Sequence, residues 1–196
     1  MALLSLAARY FREDSKPING AKLLCDAGKL FYDQKDIENA INSYKGAAQI
    51  YDDENKSVQA ANQIAIIADI YSSQNNWLEA SNYYKDVAKR RFSDSLTKIS
   101  AVEFCTKAVI CRMAADDVVG AESYMNDFSN EFPSWERSKE YIVLRALARA
   151  IENRDVDGFS KVVADYDQYK MLDDWTSNSL QAVKQLLING EEEEIC

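Results

Sequence analysis

Small residues recur forty positions apart at Ala40, Ala80, Gly120 and Ser160, and four positions after each stand Tyr44, Tyr84, Tyr124 and Ala164. Self-similarity at this length marks stacked helical hairpins, because a single hairpin cannot bury its apolar face except against a neighbour. Four positions before the small residues stand Asp36, Asn76, Asp116 and Val156. The first three are good N-caps and the last has Asp155 beside it, so the start of each hairpin's second helix is marked. A small residue at a helix crossing allows close approach, and an aromatic one turn later fills the wider gap beyond it. Asn76-Trp77-Leu78-Glu79 has the spacing of a capping box, and Asp36 with Glu38 puts carboxylates at the positive end of a helix.

Only six Gly and two Pro occur in 196 residues, too few for the tight hairpins of a sandwich or barrel, while 47% hydrophobic side chains suffice for a core. The chain is therefore expected to be all-α. Helices are predicted over residues 2–12, 17–33, 36–51, 56–73, 76–91, 96–114, 117–130, 134–153, 156–168 and 173–188. Pro17 and Pro133 suit first helical turns. Each hairpin resembles a tetratricopeptide unit, as in Asp26-Ala-Gly-Lys-Leu-Phe-Tyr32, but with longer helices. The expected architecture is a right-handed tetratricopeptide-like helical-hairpin solenoid over residues 1–132. A helical bundle follows over 133–188, packed on the solenoid, with a flexible acidic tail over 189–196.

Several function classes are excluded by composition. There is no His, which removes the usual general base and metal ligand. Cys25, Cys105, Cys111 and Cys196 have no CxxC spacing and read as reduced thiols, three of them in apolar helical stretches and Cys196 exposed. The glycines lie at least eight apart, so no loop cradles a phosphate. Asp116-Asp117 and Asp173-Asp174 are sequence neighbours, whose side chains diverge by about 100° on a helix and do not form an acid-base pair. Tyr44, Tyr84 and Tyr124 fall at packing positions without a basic stripe, which argues against nucleic acid. No apolar run is long enough to span a membrane, and residues 1–10 lack the basic start of a signal peptide. The expectation is a non-enzymatic protein without cofactor or metal, cytoplasmic and monomeric when free.

Residues 1–98 hold 13 basic and 13 acidic side chains, so the whole net charge of −9 belongs to the second half, four charges of it at residues 191–194. One neutral and one acidic half can present different surfaces to different protein partners.

The second half carries Lys107-Ala-Val-Ile-Cys-Arg, Asn130-Glu-Phe-Pro-Ser-Trp, Ile151-Glu-Asn-Arg-Asp-Val-Asp, Tyr166-Asp and Met171-Leu-Asp-Asp-Trp175, then an acidic end with a penultimate aliphatic residue. With Gly20-Ala-Lys22, Asp36-Ile-Glu-Asn-Ala-Ile41 and Ser95-Leu-Thr-Lys-Ile-Ser-Ala101, this series resembles the soluble NSF-attachment proteins, alpha type, over nearly the whole chain. That family has a further N-terminal part, with a membrane-touching aromatic loop that nothing here matches. The resemblance therefore implies membrane association only through SNAREs.

It also implies an adaptor that lies along a SNARE four-helix bundle and presents it to the hexameric ATPase NSF. Lys16, Lys22 and Lys98 match the family's basic SNARE contacts, with Leu96 as an apolar contact. Gln63 falls where the family is basic; Lys89-Arg90-Arg91 either compensates for it or is a solvated charge run. Asp116, Asp117, Glu152, Glu194 and Ile195 match the NSF contacts, whereas Arg149 and Asn153 stand where the family is acidic. A peptide- or scaffold-binding tetratricopeptide module outside membrane fusion is the alternative these departures favour.

Overall fold

Four helices of 17 residues begin at twenty-residue intervals: α1 (Pro17–Asp33), α2 (Ile37–Asp53), α3 (Ser57–Ser73) and α4 (Trp77–Ser93). The computed structural model to which they belong describes the backbone of residues 17–195 and the side chains of residues 17–190. Lys16, Cys196 and the helix expected over 2–12 lie outside the described residues. Beyond α4 come a 3-10 turn (Lys98–Ser100), α5 (Ala101–Ala114), α6 (Val118–Glu131), a second 3-10 turn (Trp135–Arg137), α7 (Lys139–Glu152), α8 (Val156–Tyr169) and α9 (Asp174–Ile195). The described residues contain no strand, and consecutive helices pack on one another as an all-α solenoid. No described helix is long and apolar enough to cross a membrane.

One turn geometry is used five times. Lys35, Asn55, Asn75, Asp116 and Arg154 take φ between 53° and 64°, in the left-handed region. The N–H of each following residue, Asp36, Lys56, Asn76, Asp117 and Asp155, donates to the carbonyl five residues back, at 2.7–3.0 Å. This is the Schellman closure, which satisfies the last carbonyls of one helix while reversing the chain. None of the five is the glycine that such a position favours, and a left-handed L-residue costs about 1–2 kcal/mol. Lys35→Gly is therefore expected to stabilise the chain by about 1 kcal/mol, raising the melting temperature by roughly 2–4 °C. A calorimetric scan in which the variant melts no higher than the parent would refute the strain.

Asp36, Asp117 and Asp155 each accept from the backbone N–H three residues on, at 3.3, 2.8 and 2.7 Å. Asn76 holds the equivalent place without a side-chain cap bond, so the capping box expected there is not made. In the third hairpin the cap is Asp117 and not Asp116, which occupies the left-handed position before it. A Cβ on Gly120 would sit 2.1 Å from Asp117 Oδ2, so Gly120 serves the cap and not the helix crossing. The residue at the crossing is Ala121, fully buried like Ala40 and Ala80.

Helix α5 begins five residues later than expected, because Asp94 accepts from the N–H groups of Leu96 and Thr97 at 2.9 and 3.1 Å and holds a separate turn. Likewise α7 waits for Ser138, which accepts from the Tyr141 N–H at 3.1 Å. At the other end α9 runs through Ile195, past the boundary expected at 188.

One core extends from α3 to α9, with Tyr84, Phe128, Trp135, Leu147, Phe159 and Leu180 among its fully buried side chains. Trp175, at the start of α9, donates from Nε1 to Ser72 Oγ at 2.9 Å and meets the Tyr84 ring edge-on at 5.5 Å. Lys107 lies 4.8 Å from the centre of the Trp175 ring and 3.5 Å from Asp69, to which Tyr84 donates its hydroxyl. Along the second helices of the hairpins run ion pairs: Arg90 of α4 to Asp52 of α2 at 2.7 Å, and Lys85 and Lys89 of α4 to Asp127 and Glu131 of α6, both at 2.6 Å.

Candidate functional site

Because every reversal turn returns the chain, helix ends alternate between two edges of the stack. The start of α1, the loop after α4 and the loop after α8 share one edge; the turns at 115–117 and 153–155 and the end of α9 share the other.

At the first edge Lys22 projects from α1 and is exposed. Leu96 and Ile99 are both 90% exposed, on the segment between α4 and α5. Between them Lys98 is exposed, its ammonium 4.4 Å from the centre of the Phe92 ring. The ring takes up the aliphatic stem and leaves the charge toward solvent. Met171, on the loop after α8, is also 90% exposed and lines a cavity with Glu103, one turn beyond Ile99. Ile99 and Met171 thus join Leu96, the one exposed apolar side chain the sequence had pointed to at this edge. Ile99 and Met171 were missed because alternation in a short loop carries no period.

Gln63 accepts from the Cys25 thiol at 3.1 Å and so serves a helix contact. The run Lys89-Arg90-Arg91 is engaged with neighbouring helices at the surface of the fold. Lys89 and Arg90 pair with Glu131 and Asp52, and Arg91 donates to Asn62.

At the second edge Asp116 is exposed. Asp117, its neighbour, is engaged twice, capping α6 and accepting from Arg112 Nη1 at 2.8 Å. Arg112 in turn donates to Tyr124 Oη at 2.7 Å and Asn82 Oδ1 at 2.9 Å. The charge of Asp117 is therefore offset within the fold, leaving Asp116 as the carboxylate available to a partner. Glu152, the last residue of α7, is exposed, as are Arg149 and Asn153 beside it. Helix α9 returns to this edge, where Arg154 Nη1 donates to the Gly190 carbonyl at 3.3 Å. Residues 191–195 continue its backbone, so Glu194 and Ile195 end a helix, although their side chains lie outside the described residues.

Burial pushes the thiols of Cys105 and Cys111 well above the ordinary value, which suppresses the reactive thiolate. Burial, with Asp69 next, likewise drives the Tyr84 hydroxyl upward and keeps it a neutral donor. Burial opposes the charged form of Asp173, but hydrogen bonds from Thr176, with Lys107 and Lys170 nearby, bring its carboxyl below the usual range. Asp173 accepts the Thr176 N–H at 2.7 Å at the start of α9, the work of a helix cap.

The sequence pattern of the family described as soluble NSF attachment protein, SNAP, matches residues 1–187. An alpha-soluble NSF attachment protein of Dictyostelium discoideum is 30% identical over 192 residues, 98% of this chain and 66% of the relative. A probable vesicular-fusion protein sec17 homolog of Schizosaccharomyces pombe is 25% identical over 192 residues, again 66% of its own length. The alpha-soluble NSF attachment protein of Mus musculus is 29% identical over 112 residues, 57% of this chain and 37% of the relative.

Proposed function

As this chain belongs to the soluble NSF attachment protein family, we propose that it is a non-enzymatic adaptor that grips a SNARE four-helix bundle and recruits an NSF-type hexameric ATPase to take the bundle apart, in vesicle fusion and intracellular protein transport. The observation that carries the reading is that the lysines and the carboxylates matching the family's contacts stand at opposite edges. Lys22 and Lys98, with the exposed Leu96, stand at one; Asp116, Glu152 and the end of α9 stand at the other. An adaptor needs two surfaces of unlike chemistry that do not compete for one partner, and opposite charge steers each encounter. SNARE bundles are acidic outside, which suits the lysine edge; Lys16 belongs to the same group of contacts. The ATPase's binding domain is basic, which suits the carboxylate edge together with Glu194 and Ile195; Asp117 acts there through the cap that positions Asp116.

In this reading residues 1–132 are the arm that lies along the bundle, and residues 133–188 complete the ATPase-facing surface. The protein works in the cytoplasm and reaches membranes through the SNAREs it holds.

Reversing both Lys22 and Lys98 to Glu is expected to weaken capture of an assembled SNARE bundle at least tenfold, about 1.4 kcal/mol. Both side chains are exposed, so helicity and melting temperature should stay as in the parent. Binding by the parent should also fall as salt shortens the screening length from about 10 Å toward about 3 Å. Undiminished capture by a folded double variant would remove these lysines from the contact.

A second reading is a tetratricopeptide-type module that binds a peptide or scaffold outside membrane fusion. It is favoured by Gln63, which is turned to an internal contact, and by Arg149 and Asn153 on the carboxylate edge. Failure of the parent chain to capture either a SNARE bundle or the ATPase would select it.

A further inference from the structure

Residues 94–100 leave Leu96 and Ile99 each 90% exposed, yet hydrogen bonds close the segment at both ends. Asp94 leaves α4 with extended backbone, φ −102° and ψ 126°, and its Oδ1 accepts the N–H groups of Leu96 at 2.9 Å and Thr97 at 3.1 Å. Both lone pairs of one carboxylate oxygen are thereby spent on successive amides, the Asx geometry that stands in for a backbone turn. The Thr97 hydroxyl donates to the Arg91 carbonyl at 3.0 Å and ties the loop back to α4. Ser100 donates to the Thr97 carbonyl from its N–H at 3.0 Å and from its hydroxyl at 2.7 Å.

None of this order comes from the exposed side chains, since apolar groups left in water contribute nothing to their own placement. It comes from Asp94, Thr97 and Ser100, with one aromatic support. Phe92 stacks on the buried Phe132 ring at 3.8 Å, and the Lys98 ammonium lies 4.4 Å from the Phe92 centre. Ordering a mobile loop at the moment of binding subtracts from affinity, and a loop fixed beforehand avoids that cost. Charge points the opposite way. Asp94 stands four residues before Lys98 on the edge that meets an acidic bundle in the adaptor reading, so on electrostatics alone its carboxylate opposes capture. Geometry and charge therefore give this residue effects of opposite sign.

We propose that Asp94 is a positioning residue for SNARE capture. Through two amides of its own loop, and without contacting the bundle, it holds Leu96 and Lys98 in the arrangement that the bundle meets. The inference rests on the adaptor reading of the proposed function. It adds that the grip at this edge depends on a loop ordered before binding, and that an acidic side chain on the lysine edge strengthens the hold on an acidic partner.

The test is capture of a preassembled SNARE bundle by the full chain and two variants. Asp94→Asn removes the charge and keeps the acceptor oxygen; Asp94→Ala removes both. Electrostatics alone makes the two variants bind alike, and both more tightly than the parent. Positioning makes Asp94→Asn bind at least as tightly as the parent and Asp94→Ala about tenfold more weakly. Hydrogen exchange of the free chain is the second readout: the amides of Leu96 and Thr97 should exchange faster in Asp94→Ala and close to the parental rate in Asp94→Asn. If Asp94→Ala lowers the melting temperature, Thr97→Val, which cuts the tie to Arg91 and changes no charge, takes its place with the same expected loss. Equal capture by the two Asp94 variants, or parental amide exchange in Asp94→Ala, overturns the positioning role and leaves the adaptor reading standing. Absence of SNARE capture by the parent overturns both.

Discussion

Trp175→Ala is expected to lower the unfolding free energy by about 3 kcal/mol, the low end of the range for a buried Trp because this ring is partly exposed. In a chain of this length that is a fall in melting temperature of roughly 6–12 °C. Three contacts converge on the ring: the hydrogen bond to Ser72, the edge-on contact with Tyr84 and the ammonium of Lys107. All three tie the start of α9 to helices α3, α4 and α5, so their loss loosens the docking of α9 more than any hairpin. The melting curve should accordingly broaden or divide, with amides of α9 exchanging before those of α3 and α4. Trp175→Phe keeps the ring contacts and should lose only about 1 kcal/mol. Ser72 is not orphaned by it, since its hydroxyl also donates to the Asp69 carbonyl at 2.9 Å. A single transition at the parental temperature in Trp175→Ala would show that α9 docks by other contacts.

Removing residues 191–196 should abolish most stimulation of the ATPase on a preassembled SNARE complex, while SNARE capture and melting temperature stay at parental values. The cut spares the Gly190 carbonyl that Arg154 uses and leaves the described core intact. What it removes is a helical end bearing four carboxylates and an aliphatic residue. Four successive like charges repel one another, and an aliphatic side chain gains nothing from water. A partner that neutralises the glutamates and covers Ile195 accounts for both. Ile195→Ser separates the two contributions and should retain the charge-dependent part of binding. Full stimulation by the truncated chain would reduce the end to a solubilising extension.

The helical map was legible in the sequence because hairpin repeats write themselves locally. In the first two hairpins Ala40 and Ala80, with Tyr44 and Tyr84 behind them, are buried and structurally equivalent. The spacing then slips by one residue. Gly120 keeps the forty-residue interval only because the Asp117 cap leaves no room for a Cβ, while Ala121 takes the crossing. In the fourth hairpin the slip runs the other way: Asp155 is the cap, and Phe159, one residue before Ser160, is the one fully buried in the core. A repeat counted in sequence cannot reveal such a slip, since cap and crossing both favour small residues. The same slip exchanged the roles of Asp116 and Asp117. Contacts that join distant parts were out of reach altogether: Trp175 and Ser72 lie 103 residues apart, and neither has a period to betray it. The pairing of the basic run on α4 was hidden for a related reason, because its acidic partners sit on α2 and α6.

Those lateral ion pairs have a mechanical consequence. Each is a surface pair contributing about 0–1 kcal/mol, so they add little to resistance against unfolding. Yet Asp52–Arg90, Lys85–Asp127 and Lys89–Glu131 all link α4, at its surface, to the second helices of the neighbouring hairpins. A weak force applied far from a hinge still governs bending. Counterions screen this lacing, so the arm is expected to bend more readily as ionic strength rises. Salt titration of partner binding will therefore report the curvature of the arm along with the charges at its edges.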